Sequence, residues 1–201
     1  MPEIEFHFDF LSPYGYFAST FVEKLASNHG RKVSWHPMLL GVSVMKVMGL
    51  KPLLETPLKG DYVRRDVARL SRLLQLPLGR EVDRPPTSSL VPARAVCWAK
   101  VHAPQTVNDL VHSFYAAMWA RGIDFNEPGD LLRAELPQSV DQAVLVTAAG
   151  HPEAAQLLRQ SVELSIAKGV FGSPTILIDG EPFWGLDRFD QAERWMQVGG
   201  W

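Results

Sequence analysis

The sequence predicts a mixed α/β protein whose small sheet comes from both ends of the chain, with an all-helical segment between them. Three observations support this class. Residues 3–8 alternate apolar and polar side chains, and a helical pattern and a second strand pattern follow. Residues 174–185 have the pattern of a β-hairpin, which precedes a closing helix. Residues 40–168 show only helical periodicity.

The first strand ends in Ser12-Pro13, immediately before a helix. Apolar Ile4, Phe6 and Phe8 alternate with polar residues, and residues 14–28 have apolar side chains at helical spacing. Ser12 can be an N-cap with Pro13 at the first helical position. Its hydroxyl, beside the free N–H groups of a helix N-terminus, can also hold an anion such as a thiolate or a phosphate. The two interpretations are compatible.

The second strand is predicted over residues 31–38, after a turn at Gly30-Arg31, so that the chain opens with a parallel β-α-β unit. Helical periodicity then recurs in five segments, 61–76, 93–103, 105–121, 138–149 and 153–168. The third of these carries a buried stripe, and Gly122 is a plausible stop after it. The arginines of the first, from Arg64 to Arg72, are predicted to form a solvated face, with an anion-binding edge as the second interpretation.

The C-terminal hairpin consists of residues 174–179, an Asp179-Gly180 turn and residues 181–185, and a closing amphipathic helix follows. The two chain ends are therefore predicted to form one domain, residues 1–39 and 169–201, with residues 40–168 as a helical insertion domain. The Ser12 junction is expected to be the functional site, facing the insertion.

Composition excludes several classes of function. The 201 residues carry a net charge of −2, with 46% hydrophobic and 21% charged residues, so neither nucleic acid nor a membrane surface is an expected partner. No apolar run approaches the roughly 20 residues that span a bilayer, and the acidic first strand does not resemble a signal segment. A cytoplasmic protein is expected.

Cofactor and metal patterns are missing from the sequence. The single cysteine, Cys97, excludes an intramolecular disulfide and a Cys-x-x-Cys redox centre. The six histidines have no metal-ligand spacing, so no metal site is expected. There is no Gly-x-Gly-x-x-Gly and no phosphate-loop pattern, so nicotinamide and nucleotide cofactors are not expected. No base pairs with Ser12 in a recognisable pattern, which disfavours acyl-serine chemistry.

Two segments carry a resemblance to a known family. "FDFLSPYGYFA" and "VFGSPTILIDGEPFWGLDR", with Pro174 entering the hairpin, resemble the 2-hydroxychromene-2-carboxylate isomerase family. That family is kin to kappa-class glutathione transferases and to DsbA-like disulfide oxidoreductases. The resemblance implies a thioredoxin-like domain formed by both chain ends and interrupted by the helical segment. Without it, Pro174 would be a strand-start proline at a sheet edge.

The resemblance also implies a glutathione site. Ser12 matches the serine that holds the sulfur of glutathione, where the oxidoreductases have their reactive cysteine. Pro174 matches a cis-proline, and Ser173 is implied to offer its backbone N–H and C=O to the cysteinyl unit. Asp9, beside this site, is expected to be structural.

The γ-glutamyl end of glutathione is implied to meet the stretch Trp184, Gly185, Leu186 and Asp187, with Asp187 pairing with the ammonium group. Asp187 can alternatively cap the last helix.

Two lysines complete the implied site. Lys59 matches a lysine that meets the glycyl carboxylate, and Lys46 matches one that faces an acidic substrate. Without the resemblance both are surface lysines. Leu50 departs from an asparagine common in relatives, and the segment "MLLGVSVM" is also unusual, which leaves the substrate pocket open.

The implied activity is glutathione-dependent interconversion of 2-hydroxychromene-2-carboxylate, a small aromatic carboxylate, or a related aromatic-degradation intermediate, and trans-o-hydroxybenzylidenepyruvate. A serine at a helix N-terminus can lower the pKa of a bound thiol, so that glutathione supplies the nucleophile. A kappa-like glutathione transferase or peroxidase is the nearest alternative, and a non-catalytic thioredoxin-like binding module is an alternative of another class. Relatives commonly form homodimers.

Overall fold

A computed structural model describes residues 1–84 and 87–201. Its four-stranded sheet has strands β1 (Glu3–Phe8), β2 (Lys32–Pro37), β3 (Thr175–Ile178) and β4 (Glu181–Trp184), in the order β2-β1-β3-β4. β1 pairs with β2 in parallel, and the other two pairs are antiparallel. The α/β class and the predicted strands are confirmed, and the central strands come from opposite ends of the chain.

Seven α-helices lie within the described residues: α1 (Pro13–Asn28), α2 (Lys59–Leu74), α3 (Leu90–His102), α4 (Val107–Tyr115), α5 (Gln142–Gly150), α6 (Pro152–Ala167) and α7 (Phe189–Val198). A π-helical turn, Gly41–Val47, precedes α2, and a short 3-10 turn, Leu186–Arg188, precedes α7. Each predicted helical segment overlaps one of these helices.

The alternation of β1 separates two faces of the sheet. Phe6 lies between Trp35 of β2 and Ile176 of β3, and all three side chains are buried. The rings of Phe6 and Trp35 have centroids 5.1 Å apart in an edge-on arrangement. Truncating such a ring to alanine costs about 3–5 kcal/mol of stability. The other face of β1 is polar, and there His7 Nδ1 lies 2.8 Å from Ser165 Oγ of α6.

The predicted single helix over 105–121 is wrong in detail. α4 ends at Tyr115 and continues as a π-helical turn, Ala116–Ala120, in which the Arg121 N–H reaches back to Ala116 O. The carbonyl of Trp119, at the end of this turn, accepts bonds from the N–H groups of Gly79 and Arg80, which gives a partner to a terminal carbonyl that has none within the helix.

Gly122 follows this π-helical turn with φ +68°, as the predicted stop requires. Positive φ is a conformation that glycine adopts without steric cost.

The helical segment is joined to the sheet by one continuous core. Its helices α3 and α4 share the buried cluster of the sheet, and Trp35 Nε1 donates to Asn108 Oδ1 of α4 at 2.8 Å. The division into residues 1–39 with 169–201, and 40–168, therefore stays a prediction. Within residues 1–84 and 87–201 no helix is both long and apolar enough to cross a membrane.

Candidate functional site

Ser12 is the N-cap of α1. Its backbone is extended, and its Oγ accepts a bond from the Gly15 N–H at 3.1 Å. The same Oγ donates to the carbonyl oxygen of Ser173 at 2.9 Å, and the residue is only 4% exposed. The capping interpretation is confirmed, and the hydroxyl also links the helix to the loop before β3.

The Ser173–Pro174 peptide bond is cis, as predicted. Ser173 is 8% exposed, and its Oγ accepts from the Asp9 N–H at 2.9 Å. The Pro174 carbonyl accepts from the Gly185 N–H at 2.9 Å. The structure thus brings Ser12, Ser173, Pro174 and Gly185 together through hydrogen bonds.

Two backbone N–H groups of this cluster have no acceptor among the described residues. One belongs to Ser173, and the other to Tyr14 in the first turn of α1. Gly15 donates to Ser12 Oγ and Tyr16 donates to Ser12 O, while Pro13 has no N–H. The cluster therefore has two backbone donors available to a ligand, and the positive end of the α1 dipole favours an anion beside Tyr14.

Asp9 has the structural role predicted for it. Its Oδ1 accepts from the Leu11 N–H at 3.0 Å and its Oδ2 from the Leu40 N–H at 2.7 Å. Burial raises the pKa of this carboxyl, and hydrogen bonds from Leu11, Leu40 and Ser89 oppose the rise.

Tyr115 is a site residue that sequence reasoning missed. Its buried hydroxyl donates to the Asp9 carbonyl oxygen at 3.1 Å, and burial raises its pKa well above the ordinary value. Gly15 packs directly on this hydroxyl, because a methyl group there would overlap it. Tyr115 is one more apolar position of the α4 stripe, so no sequence pattern distinguishes it.

The stretch Trp184 to Asp187 borders the cluster. Trp184 is 53% exposed, and its indole covers Gly172 and contacts Phe171, with ring centroids 4.8 Å apart. Gly185 has φ +101°. The N-cap of α7 is Arg188, and no side chain of the described residues caps this helix, so the alternative in which Asp187 is its cap is wrong. Asp187 is exposed and pairs with Arg188 at 3.0 Å, and Leu186 is half-buried beside it.

Lys59 and Lys46 do not contact this cluster. Lys59 is exposed at the first position of α2, and Lys46 is exposed in the π-helical turn Gly41–Val47. Neither makes an ion pair with a described residue. The Tyr14 hydroxyl donates to Asp66 Oδ2 at 2.9 Å, which attaches α2 to the start of α1. Leu50, in the place of the common asparagine, is also exposed.

The remaining candidate groups lie elsewhere. Cys97 is buried in α3, and burial raises the pKa of its thiol to about 12, so it is no nucleophile near neutral pH. The part of the chain that the structure describes has no group of three His, Cys, Asp or Glu side chains placed for a metal. A groove of about 330 Å³ lies between β4 and α7 and is lined by Trp184, Trp195 and Trp201 among others, but not by Ser12.

Similarity to known proteins agrees with this geometry. The model of the DsbA-like thioredoxin domain family matches residues 3–197. A 2-hydroxychromene-2-carboxylate isomerase of Sphingobium xenophagum is 25% identical over 201 residues, which cover 96% of this chain and 97% of the relative. Human glutathione S-transferase kappa 1 is 25% identical over 209 residues, covering 96% and 92%.

Solved structures show the same fold. A 2-hydroxychromene-2-carboxylate isomerase superposes with a TM-score of 0.80 at 23% identity, covering 97% of this chain and 94% of the other. The cytosolic disulfide reductase DsbM of Pseudomonas aeruginosa, in a structure with GSH, superposes with a TM-score of 0.65 at 19% identity, covering 97% and 96%.

Proposed function

This chain belongs to the DsbA-like thioredoxin domain family, and we propose that it is a glutathione-dependent isomerase. Its proposed reaction interconverts 2-hydroxychromene-2-carboxylate, or a related aromatic-degradation intermediate, and trans-o-hydroxybenzylidenepyruvate. Relatives along its whole length are named as isomerases of this type and as kappa glutathione transferases, which supports an enzyme that uses glutathione. A cytoplasmic location and a homodimeric state are part of the proposal.

One observation carries the proposal: Ser12 occupies the helix N-terminus opposite the cis-proline loop, and no cysteine stands there. A serine without a paired base is a weak nucleophile. Its hydroxyl and the N–H of Tyr14 are donors at the positive end of the α1 dipole, which suit an anion, while the N–H of Ser173 is available to the backbone of a ligand. The nucleophile must then come from a bound thiol, whose pKa such donors lower.

Glutathione fits the cluster in one orientation. Its sulfur is placed at Ser12, and its cysteinyl backbone pairs with the N–H and C=O of Ser173. Its γ-glutamyl end lies along Trp184, Gly185, Leu186 and Asp187. Lys59 is proposed for the glycyl carboxylate, and Lys46 for the carboxylate of the substrate.

Binding requires one rearrangement. The Ser12 hydroxyl donates to the Ser173 carbonyl in the structure, so it must rotate to donate to the thiolate instead.

The proposed chemistry recycles glutathione. The thiolate adds to the electrophilic carbon of the substrate and forms a carbon–sulfur bond, the ring opens, and a carbon–carbon bond rotates. Elimination breaks the carbon–sulfur bond again and releases the trans product with the thiolate unchanged. The protein holds the sulfur and the glycyl carboxylate of glutathione and the carboxylate of the substrate while the carbon–carbon bond of the substrate rotates.

Two other functions predict different results. A kappa-like transferase or peroxidase would use the same thiolate but would consume glutathione. The similarity to human glutathione S-transferase kappa 1 supports this second candidate. A non-catalytic binding module has no need of glutathione.

Isothermal titration of the protein with glutathione, followed by ultraviolet thiolate absorbance of the complex across pH, tests the proposal. Absence of binding would overturn it.

A further inference from the structure

We propose that Asp9 is a positioning residue that fixes the Ser12 turn and the segment carrying Lys46 in one arrangement. The Ser12 turn is residues 9–12, and the Lys46 segment is residues 40–50. The proposal rests on the glutathione-dependent function proposed above, because that function gives both parts a role in one reaction.

The carboxylate of Asp9 joins the two parts directly. Its Oδ1 accepts from the N–H of Leu11, one residue before Ser12. Its Oδ2 accepts from the N–H of Leu40, the residue from which the π-helical turn Gly41–Val47 begins. The two donors are 29 positions apart in the chain, so one side chain determines their separation.

The backbone of Asp9 adds contacts to two more parts of the site. Its N–H donates to Ser173 Oγ at 2.9 Å, and its carbonyl accepts from the Ser12 N–H at 2.9 Å and from the Tyr115 hydroxyl at 3.1 Å. The bond to Leu11 and the bond to Ser12 close an Asx-turn inside a β-turn. Asp9 therefore fixes the backbone from which the Ser12 side chain projects.

The burial of Asp9 makes this arrangement rigid. The residue is 2% exposed, so neither Leu11 nor Leu40 can exchange its acceptor for water without opening the site. Both carboxyl oxygens of Asp9 accept from N–H groups. A carboxylate has two acceptor oxygens, whereas a side-chain amide has only one. Asparagine has the same shape but turns an NH2 group toward one of the two donors.

Asp9→Asn is the first test, in the full chain without ligand. We expect the amide resonances of residues 10–12 and of residues 40–47 to shift together. The amide that loses its acceptor is expected to exchange its hydrogen roughly tenfold faster or more. A perturbation confined to one of the two regions would overturn the proposal.

Glutathione provides the second readout. In Asp9→Asn the thiol pKa of bound glutathione should rise by about one unit, because the Ser12 hydroxyl is no longer held in place. The KM for the acidic substrate should rise about tenfold, because Lys46 is displaced. Parental values of both quantities would overturn the proposal.

Ser165→Ala is the matched control. Its buried hydroxyl bonds to His7 and to the Ser161 carbonyl and to no residue of the site, so its loss costs stability without removing a contact of the site. We expect parental thiol pKa and KM in this variant. If Ser165→Ala changed the thiol pKa and the KM as much as Asp9→Asn does, general destabilisation would explain both changes, and Asp9 would have no positioning role.

A measurement on the parent protein covers failure of Asp9→Asn to fold. Because the Asp9 carboxylate is the acceptor for both N–H groups, the amide hydrogens of Leu11 and Leu40 should both be protected from exchange in the full chain. Exchange of either amide at the rate of an exposed one would overturn the proposal. If the parent protein binds no glutathione, the proposed function fails, and the amide data alone then decide the role of Asp9.

Discussion

The Ser12 hydroxyl donates its hydrogen to the carbonyl oxygen of Ser173, 161 positions later in the chain, at 2.9 Å. The Oγ of Ser12 also accepts a bond from the Gly15 N–H, so its hydrogen and one of its lone pairs are both in use. The bond connects the N-terminus of α1 to the cis-proline loop. It also holds the hydroxyl where the sulfur of glutathione is proposed to bind.

The first prediction concerns Ser12→Ala. The variant should lose about 1 kcal/mol of stability, because a helix cap is removed. The pKa of the thiol of bound glutathione should rise, because a donor to the thiolate is lost. Thermal unfolding measures the first effect, and ultraviolet thiolate absorbance of the complex measures the second.

Ser19→Ala is the control for that variant. Ser19 is a buried serine of the same helix whose hydroxyl donates to the Tyr16 carbonyl at 2.7 Å. It should lose stability with a parental thiol pKa. Equal thiolate fractions in Ser12→Ala and the parent at pH 7 would remove Ser12 from the mechanism.

The second prediction concerns the contact of Gly15 with Tyr115. Gly15→Ala should lose about 1–3 kcal/mol of stability, because the added methyl group overlaps the Tyr115 hydroxyl. Tyr115→Phe removes that hydroxyl, so the double variant should be more stable than the sum of the two single effects predicts. Urea unfolding of the four proteins measures this coupling. Strictly additive losses would show that the two residues do not meet.

The third prediction concerns the two lysines of the proposed site. Lys59→Ala should raise the KM for glutathione, and Lys46→Ala the KM for the acidic substrate, each by roughly tenfold. Lys51→Ala is the matched control, since Lys51 is an exposed lysine between them with no proposed contact. Steady-state kinetics with each substrate varied separately measures these changes. Equal effects of all three variants would mean that only the general positive charge matters.

The fourth prediction concerns pH. Burial lowers the pKa of His7 from 6.5 to about 4, although the nearby Glu5 carboxylate opposes the shift. The stacked His36, with its pKa lowered to about 2, and the ammonium groups of Lys100 and Lys168 face the same cluster. The unfolded chain therefore binds a proton that folded His7 does not, and stability should fall as pH falls from about 6.5 toward 4.

His7→Asn tests this sign. Between pH 7.5 and 4.5 the variant should lose about 2–3 kcal/mol less stability than the parent, because it lacks the titrating group. Urea unfolding at both pH values measures the difference. Parallel losses in parent and variant would show that His7 does not titrate as its burial requires.

Local pattern was sufficient to predict much of the fold. The alternation around Phe6 identified β1, and Ser12-Pro13 marked the start of α1, because both depend on neighbouring residues alone. The resemblance added the cis bond before Pro174. These features carry a signature within a few positions.

Features that depend on distant contacts could not be predicted in this way. The π-helical turn after Tyr115 has no signature in the helical spacing of residues 105–121, and its Trp119 carbonyl bonds to Gly79 and Arg80, which are distant in sequence. The contact of Tyr115 with Asp9 spans 106 positions, and helical spacing marks Tyr115 only as a core residue. The arrangement of Lys46 and Lys59 around a ligand likewise depends on tertiary geometry.

The most direct test of the account is the fate of glutathione during turnover. Catalytic traces of glutathione should convert many equivalents of 2-hydroxychromene-2-carboxylate, with free thiol constant, because elimination regenerates the thiolate each time. The ultraviolet change of the chromene is followed while the remaining thiol is titrated, with S-methylglutathione as the control that cannot supply a nucleophile. Many turnovers at constant thiol, and none with the methylated analogue, are the predicted result. Loss of one thiol per product, or equal turnover with S-methylglutathione, would contradict it.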